Sequence, residues 1–392
     1  MSATSSMALS LDALVRERHV IVCVGSGGVG KTTTAASLGL RAARLGRRVL
    51  VLTIDPARRL ANALGLHSFG NEIRQVPLTD LPEGGELWAC MLDTRATFDD
   101  LVRRMAPDEA SRDAIFANRI YRVIADNFAG SQEYMATERL YDVHASGAYD
   151  LIVLDTPPVK NALDFLESPG RLARFLDRQI VRWFLTPYDE SRVFGRVLVG
   201  TSGVVFRLLG VVFGREFLDE LSTFFQAFRD LMDGFYERHE AVLALFADPS
   251  TSFVVVAAPN EPSVDVASFF RDELVARRLP LGGFIVNQVH RCAPEALDAH
   301  ALLGPRAQAA AGDLPPHTVA SLMARLESAH RRLAAVVQAE WPFLERLRRL
   351  ASGGPFLREV PLLDAPIRDL EGLLELCARL FPAPEEGAPA AR

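Results

Sequence analysis

The octapeptide Gly25-Ser26-Gly27-Gly28-Val29-Gly30-Lys31-Thr32 fits the pattern G-x-x-x-x-G-K-[ST] at every fixed position. Each residue type in it answers a physical need. Glycines let backbone N–H groups converge on phosphate oxygens without Cβ clashes. A helix opening behind the loop aims its positive end at the same oxygens. A lysine at position 31 can reach β- and γ-phosphates, and a hydroxyl at position 32 can ligate Mg²⁺. The expected nucleotide contacts are therefore Gly25, Ser26, Gly27, Gly28, Val29, Gly30, Lys31, Thr32 and Thr33. The three glycines Gly25, Gly27 and Gly30 also fit a dinucleotide fingerprint, with Asp55 at the end of the next strand. Lys31 and Thr32 decide against it, because a dinucleotide site has no use for a lysine and a hydroxyl aimed at a terminal phosphate and a metal.

A phosphate loop works only where a strand delivers it and a helix receives it. His19 to Val24 is a short β-branched run that reads as a buried strand ending before Gly25. Lys31 to Leu45 is rich in Ala, Leu and Arg and stops at Gly46, which reads as a helix with a glycine C-cap. Val49 to Ile54 reads as a second buried strand, so the first 55 or so residues form a β-loop-α-β unit with a right-handed crossover. Three more continuous apolar runs follow, Leu151 to Leu154, Phe253 to Ala257 and Gly283 to Val286, each ending in polar or turn residues. Strands buried on both faces look like this, and their carboxyl ends are where open α/β sheets place ligands. Between them lie helical stretches at about 96–144, 172–248 and 294–350. The expected fold is α/β, a doubly wound and mostly parallel sheet with a helical subdomain. Residues 1–14 are expected to form a tail, 15–381 one ATPase domain and 382–392 a disordered tail rich in Pro, Ala, Gly and Glu.

Composition narrows the functional classes. The chain has 392 residues, 49 % of them hydrophobic, which is enough for a sizeable core. Lys and Arg total 43 against 49 Asp and Glu, a formal charge of −6 without a basic run, so nucleic-acid binding is not expected. The four cysteines, Cys23, Cys90, Cys292 and Cys377, include no C-x-x-C pair and read as buried free thiols of a cytoplasmic protein. The most apolar stretch, Val197 to Gly214, is broken by Arg207 and three glycines, which makes a poor membrane span.

Three motifs in order carry a resemblance. Gly25 to Thr33, then Thr53-Ile54-Asp55-Pro56-Ala57-Arg58-Arg59-Leu60, then Leu154-Asp155-Thr156-Pro157-Pro158, resemble the ArsA-type ATPases, which include arsenite-pump ATPases and relatives that target tail-anchored membrane proteins, within the MinD/ParA group. Asn287 and the segment Val360 to Leu363 also fit. The resemblance implies an ATPase that cycles between shapes, with ATP and Mg²⁺ as cofactors. It implies that Asp55 orients and activates the attacking water, as a strand-end carboxylate beside the loop could. Asp55 could also serve as a helix N-cap. Asp155 is implied to hold Mg²⁺ through a water, Thr156 to Pro158 to sense the γ-phosphate, and Asn287 to read the adenine edge. It also implies a homodimer, or a heterodimer with a related ATPase subunit, and a hydrophobic helix or membrane protein as client. A nucleotide-binding regulatory subunit with little hydrolysis, or a ParA/MinD-like positioning ATPase, remain as alternatives. The sequence departs from the family where a lysine usually crosses to the partner subunit's phosphates: here stands Ser26.

One stretch is apolar beyond what a surface insertion needs. From Phe194 to Phe246, Phe217, Leu218, Leu221, Phe224, Phe225, Phe228, Leu231 and Met232 recur at spacings of three and four, one broad helical face. A core or dimer interface is the plainer reading, and a groove for an apolar client helix the sharper one.

Overall fold

The computed structural model describes residues 10–54, 59–66, 72–127, 132–157, 220, 224, 234, 237–292 and 315–382. Within them an eight-stranded sheet runs in the order β3-β4-β2-β5-β1-β6-β7-β8. The strands are β1 (Val20–Val24), β2 (Arg48–Thr53), β3 (Arg74–Gln75), β4 (Glu86–Met91), β5 (Leu151–Asp155), β6 (Thr251–Ala257), β7 (Leu281–Val289) and β8 (Phe356–Pro361). Every pairing is parallel except β3 with β4, at one edge. Parallel neighbours need helical crossovers. The helices bounded within the described residues are α1 (Leu11–Glu17), α2 (Lys31–Ala43), α3 (Arg59–Ala63), α4 (Thr94–Met105), α5 (Glu109–Ala117), α6 (Arg119–Asn127), α7 (Gln132–Ala145), α8 (Glu261–Ala276), α9 (Pro316–Ala351) and α10 (Leu370–Leu380), and residues 237–247 are helical as well.

The period-two alternation of the strands sorts the core into two layers. Val20, Val22 and Val24 of β1 join Leu50, Leu52, Ile152, Leu154, Phe253, Val255, Phe284 and Val286 on one face. That face is covered by α4, α6, α7, α8 and α9, through residues such as Leu101, Tyr121, Leu140, Phe270 and Leu347. Ile21 and Cys23 point the other way, with Val49, Val51, Val153, Val254, Val256 and Ile285, onto α1, α2 and α10 through Leu14, Leu38, Leu40, Leu373, Leu376 and Leu380. Because both faces are covered, the central strands are apolar along most of their length, and β1, β5 and β6 are buried throughout.

The five strands read from the sequence are all present, with ends within two or three residues. The stretch 96–144 is helical but divided into α4, α5, α6 and α7. Asp93 caps α4 by accepting from the Ala96 amide at 2.9 Å, and Asp108 caps α5 by accepting from Ser111 at 2.7 Å. A 36-residue helix, α9, accounts for the described part of the 294–350 stretch. Most of the 172–248 stretch lies outside the described residues, as do the disordered tail expected at 382–392, apart from Pro382, and the apolar run 197–214. Of the later apolar residues between Phe217 and Met232 only Phe224 is described; it is 2 % exposed and belongs to the core. Among the described residues no helix is long and apolar enough to cross a membrane.

Candidate functional site

Because β2, β5, β1, β6 and β7 run parallel, their carboxyl ends open onto one edge of the sheet. β1 lies where the chain's connections leave in opposite directions, toward β2 on one side and toward β7 and β8 on the other, the switch point at which open α/β sheets bind ligands. The loop Gly25–Gly30 leaves β1 there and enters α2 at Lys31. Gly30 is the N-cap of α2 with φ 88°, and Gly28 has φ 78°. Both sit in the left-handed region, which costs a residue with a Cβ about 1 kcal/mol or more. Gly25 comes so close to β6 that a Cβ would lie 2.1 Å from the Val256 carbonyl oxygen.

Lys31 is 6 % exposed, and its Nζ donates to the carbonyls of Gly25 at 3.1 Å and Ser26 at 2.7 Å. Its ammonium is thereby folded over the loop's own backbone. Thr32 Oγ1 donates to Asp155 Oδ2 at 2.7 Å, and Thr53 Oγ1 donates to the same oxygen at 2.8 Å. Asp155 itself is fully buried at the end of β5, in register with Cys23 of β1 and Thr53 of β2. Burial pushes the Cys23 thiol far above its ordinary pKa; the Asp155 carboxylate adds to the rise and Lys31 opposes it. Carboxylate and ammonium thus act on the same buried thiol from the mouth of the loop. A threonine hydroxyl and a carboxylate at hydrogen-bond distance are hard oxygen donors, the chemistry a divalent cation such as Mg²⁺ selects. Thr156 is turned inward, its Oγ1 donating to the Cys23 carbonyl at 2.8 Å.

The loop is braced from the end of β7 and from the start of α8. Asn287 Nδ2 donates to the Val29 carbonyl at 2.9 Å, and Gln288 Nε2 to the Gly28 carbonyl at 3.2 Å. Ser26 Oγ donates to Ser263 Oγ at 3.0 Å, and Ser263 Oγ in turn accepts from the Ala258 amide at 2.9 Å. Ser263 lies in the first turn of α8, whose N-cap Asn260 accepts from the Ser263 amide at 3.1 Å. Beyond Gln288, the end of β7 is held to α9: the His290 amide donates to Glu340 at 3.0 Å, and the His290 ring nitrogen lies 2.6 Å from the same carboxylate.

The residues singled out from sequence therefore divide into two groups, and a third set joins them in the structure. Gly25 to Thr33, Asp155, Thr156 and Asn287 meet at one site. Asp55, Arg58 and Pro158 lie outside the described residues; Ile54 before them is 2 % exposed and α3 begins at Arg59. Thr53, Ser263 and Gln288 contact the site without having been assigned a role. Thr53 lies inside a quoted motif at a strand's carboxyl end, which was a signal. Gln288 adjoins Asn287, and nothing in its type marks it. Cys292 departs from the expectation of four buried thiols: it is half-buried, with its sulfur 3.3 Å from His330 Nδ1, while Cys23, Cys90 and Cys377 are buried.

Residues 18–299 match the family model described as anion-transporting ATPase. Among curated proteins, the chain is 27 % identical over 288 residues to the ATPase GET3 of Podospora anserina, covering 72 % of this chain and 77 % of that protein. It is 28 % identical over 288 residues to the ATPase get3 of Aspergillus terreus, covering 71 % and 76 % respectively.

Proposed function

This chain belongs to the anion-transporting ATPase family, and we propose that it binds ATP at the loop Gly25–Thr33 and hydrolyses it to drive a change of shape. The observation that carries the reading is the pairing of Thr32 with Asp155 at 2.7 Å beside the Lys31 ammonium, a hydroxyl, a carboxylate and a cation gathered where a helix begins. In this reading, loop amides and the α2 N-terminus hold the phosphates, and Lys31 leaves the loop carbonyls to meet the β/γ oxygens. Thr32 and Asp155 would hold Mg²⁺, Asp155 through a water; the bound ion would neutralise charge that develops on the phosphate oxygens. Asp55 would accept the proton of the attacking water, Thr156 to Pro158 would carry the state of the γ-phosphate to the helices, and Asn287 would keep its carbonyl side for the adenine edge while its amide holds Val29.

The reading extends to residues 15–381 as one ATPase domain, acting in the cytoplasm as a homodimer or with a related ATPase subunit, and to a hydrophobic helix or membrane protein as client. Ser26 favours a second reading, a regulatory subunit that binds ATP and hydrolyses little. Its hydroxyl is engaged by Ser263 of the same chain, and it is neutral and too short to reach a partner's phosphates. ATP turnover and ADP binding of Lys31→Ala and Asp55→Asn test the proposal. Lys31→Ala should lose turnover and most affinity, while Asp55→Asn should keep affinity and lose turnover. Normal turnover in Lys31→Ala overturns it.

A further inference from the structure

We infer that Gln288 is a positioning residue for the nucleotide's β-phosphate, acting through the backbone of the phosphate loop. The inference rests on the nucleotide-binding reading and adds to it a residue that nothing in the motif predicts. Gln288 stands at the carboxyl end of β7 with φ 62°, one of three non-glycine residues at positive φ among the described residues. Glutamine is not one of the types that enter this region readily; asparagine, aspartate and glycine are. A turn that needed only the backbone shape would be served by glycine, so the side chain is the part to explain.

Its direction supplies the explanation. Successive residues of an extended strand point to opposite faces. The left-handed twist at Gln288 breaks that alternation, and the β7–β8 register shifts between Val286 and Val289. Asn287 and Gln288 consequently both reach the loop, and they grip consecutive carbonyls, Val29 at 2.9 Å and Gly28 at 3.2 Å. In a trans peptide the carbonyl and the following N–H point in opposite directions. Drawing the Gly28 oxygen toward Gln288 therefore aims the Val29 N–H the other way. Drawing the Val29 oxygen toward Asn287 does the same for the Gly30 N–H. A loop backbone that alternates in hand places adjacent carbonyls on one side, and Gly28 and Gly30, at φ 78° and 88°, supply its left-handed members. The two amides of β7 thus fix two consecutive N–H groups of the loop facing away from β7. Asn287 is buried and holds the inner one; Gln288, at the rim, holds the outer one.

Two substitutions separate this role from a structural one. Gln288→Met keeps side-chain length and removes the donor. Gln288→Gly removes the side chain and relieves the positive φ. Binding of ADP and AMP is measured by titration calorimetry, and stability without nucleotide by urea unfolding. Gln288→Met should weaken ADP about fivefold, the size of one hydrogen bond, and leave AMP unchanged, since AMP has no β-phosphate for the loop. Gln288→Gly should weaken ADP equally while its stability holds or rises. A Gln288→Met variant that binds ADP as the unaltered chain does overturns the inference, and so does an equal loss for ADP and AMP. Failure of the unaltered chain to bind ADP at all overturns the nucleotide reading itself, and this inference with it.

Discussion

Two alanine substitutions in the phosphate loop share a backbone cost and differ in one contact, so together they measure how β7 holds the loop. Gly28 and Gly30 both occupy left-handed backbone, at φ 78° and 88°. Alanine at either position costs about 1 kcal/mol for that conformation. A Cβ on Gly28 meets nothing within 4 Å, whereas a Cβ on Gly30 would lie 2.4 Å from Asn287 Nδ2 and 3.2 Å from Thr33 Oγ1. The Asn287 amide must then withdraw and give up its bond to Val29, which adds about 1 kcal/mol. Gly28→Ala should therefore cost about 1 kcal/mol and Gly30→Ala about 2 kcal/mol, in urea unfolding without nucleotide. The contact can be isolated by repeating Gly30→Ala in an Asn287→Ala background. There the amide is already gone, the bond to Val29 is already lost, and Gly30→Ala should cost only the backbone part, a coupling of about 1 kcal/mol. Equal costs for Gly28→Ala and Gly30→Ala, or additive costs for Gly30→Ala and Asn287→Ala, would refute the placement of Asn287 against the loop.

Arg238 pairs with the fully buried Glu138, Nε to Oε2 at 2.5 Å, and also with Asp142; Arg238→Ala should destabilise by about 3–5 kcal/mol because it strands a buried carboxylate, and a loss under about 1 kcal/mol in urea unfolding would contradict that. Native iodoacetamide labelling at pH 8, read by peptide mass, should modify half-buried Cys292 and spare Cys23, Cys90 and Cys377, the last with its thiol pushed up to about 11 by burial; labelling of Cys377 at the rate of Cys292 would be inconsistent with that packing. Ser26→Lys should raise ATP turnover if a cation at the loop is what this chain lacks, with Arg58→Ala and Arg59→Ala assayed beside it. No gain from the lysine and a sharp fall from either arginine change would mean that an arginine already serves.

What could be read from sequence follows from how residues are buried. β1, β2, β5, β6 and β7 are covered on both faces, so selection for packing leaves unbroken apolar runs such as Val20–Val24 and Phe253–Ala257, and these are legible. β4, with Glu86 and Trp88 half-buried, lies next to the edge and gives a mixed signal, and β3 has two exposed residues and no signal at all. β8 is largely half-buried and was noticed only because its end, Val360 to Leu363, matched a family motif. The helical insert showed its helicity but not its breaks, because the caps Asp93 and Asp108 are ordinary surface residue types until the backbone bends there.

The site divides along a similar line. Residues proposed to touch phosphate are constrained in type by that chemistry, and their spacing is fixed by the strand–loop–helix that carries them, so Gly25 to Thr32 stand out as a motif; Asp155, on a different strand, was marked by the resemblance carried by Leu154 to Pro158. Residues that hold those residues are constrained only by geometry. A hydroxyl is needed beside Asp155, a donor beside the Gly28 carbonyl and an acceptor beside Ser26, and many side chains qualify at many positions. Thr53, Gln288 and Ser263 meet those needs from three different elements, 102, 260 and 237 residues distant from their partners Asp155, Gly28 and Ser26. Such distances leave no local pattern. Ser26 shows why this matters for function. From sequence it reads as a missing cation; in the structure its hydroxyl joins the phosphate loop to the first turn of α8, and α8 is linked onward to α9 through Asp265 and Arg346 at 2.7 Å. A lysine restored at position 26 would thus add a charge and remove a tether in one step. Ser263→Ala, which removes the tether without adding charge, is the control that assigns any change in turnover to one or the other.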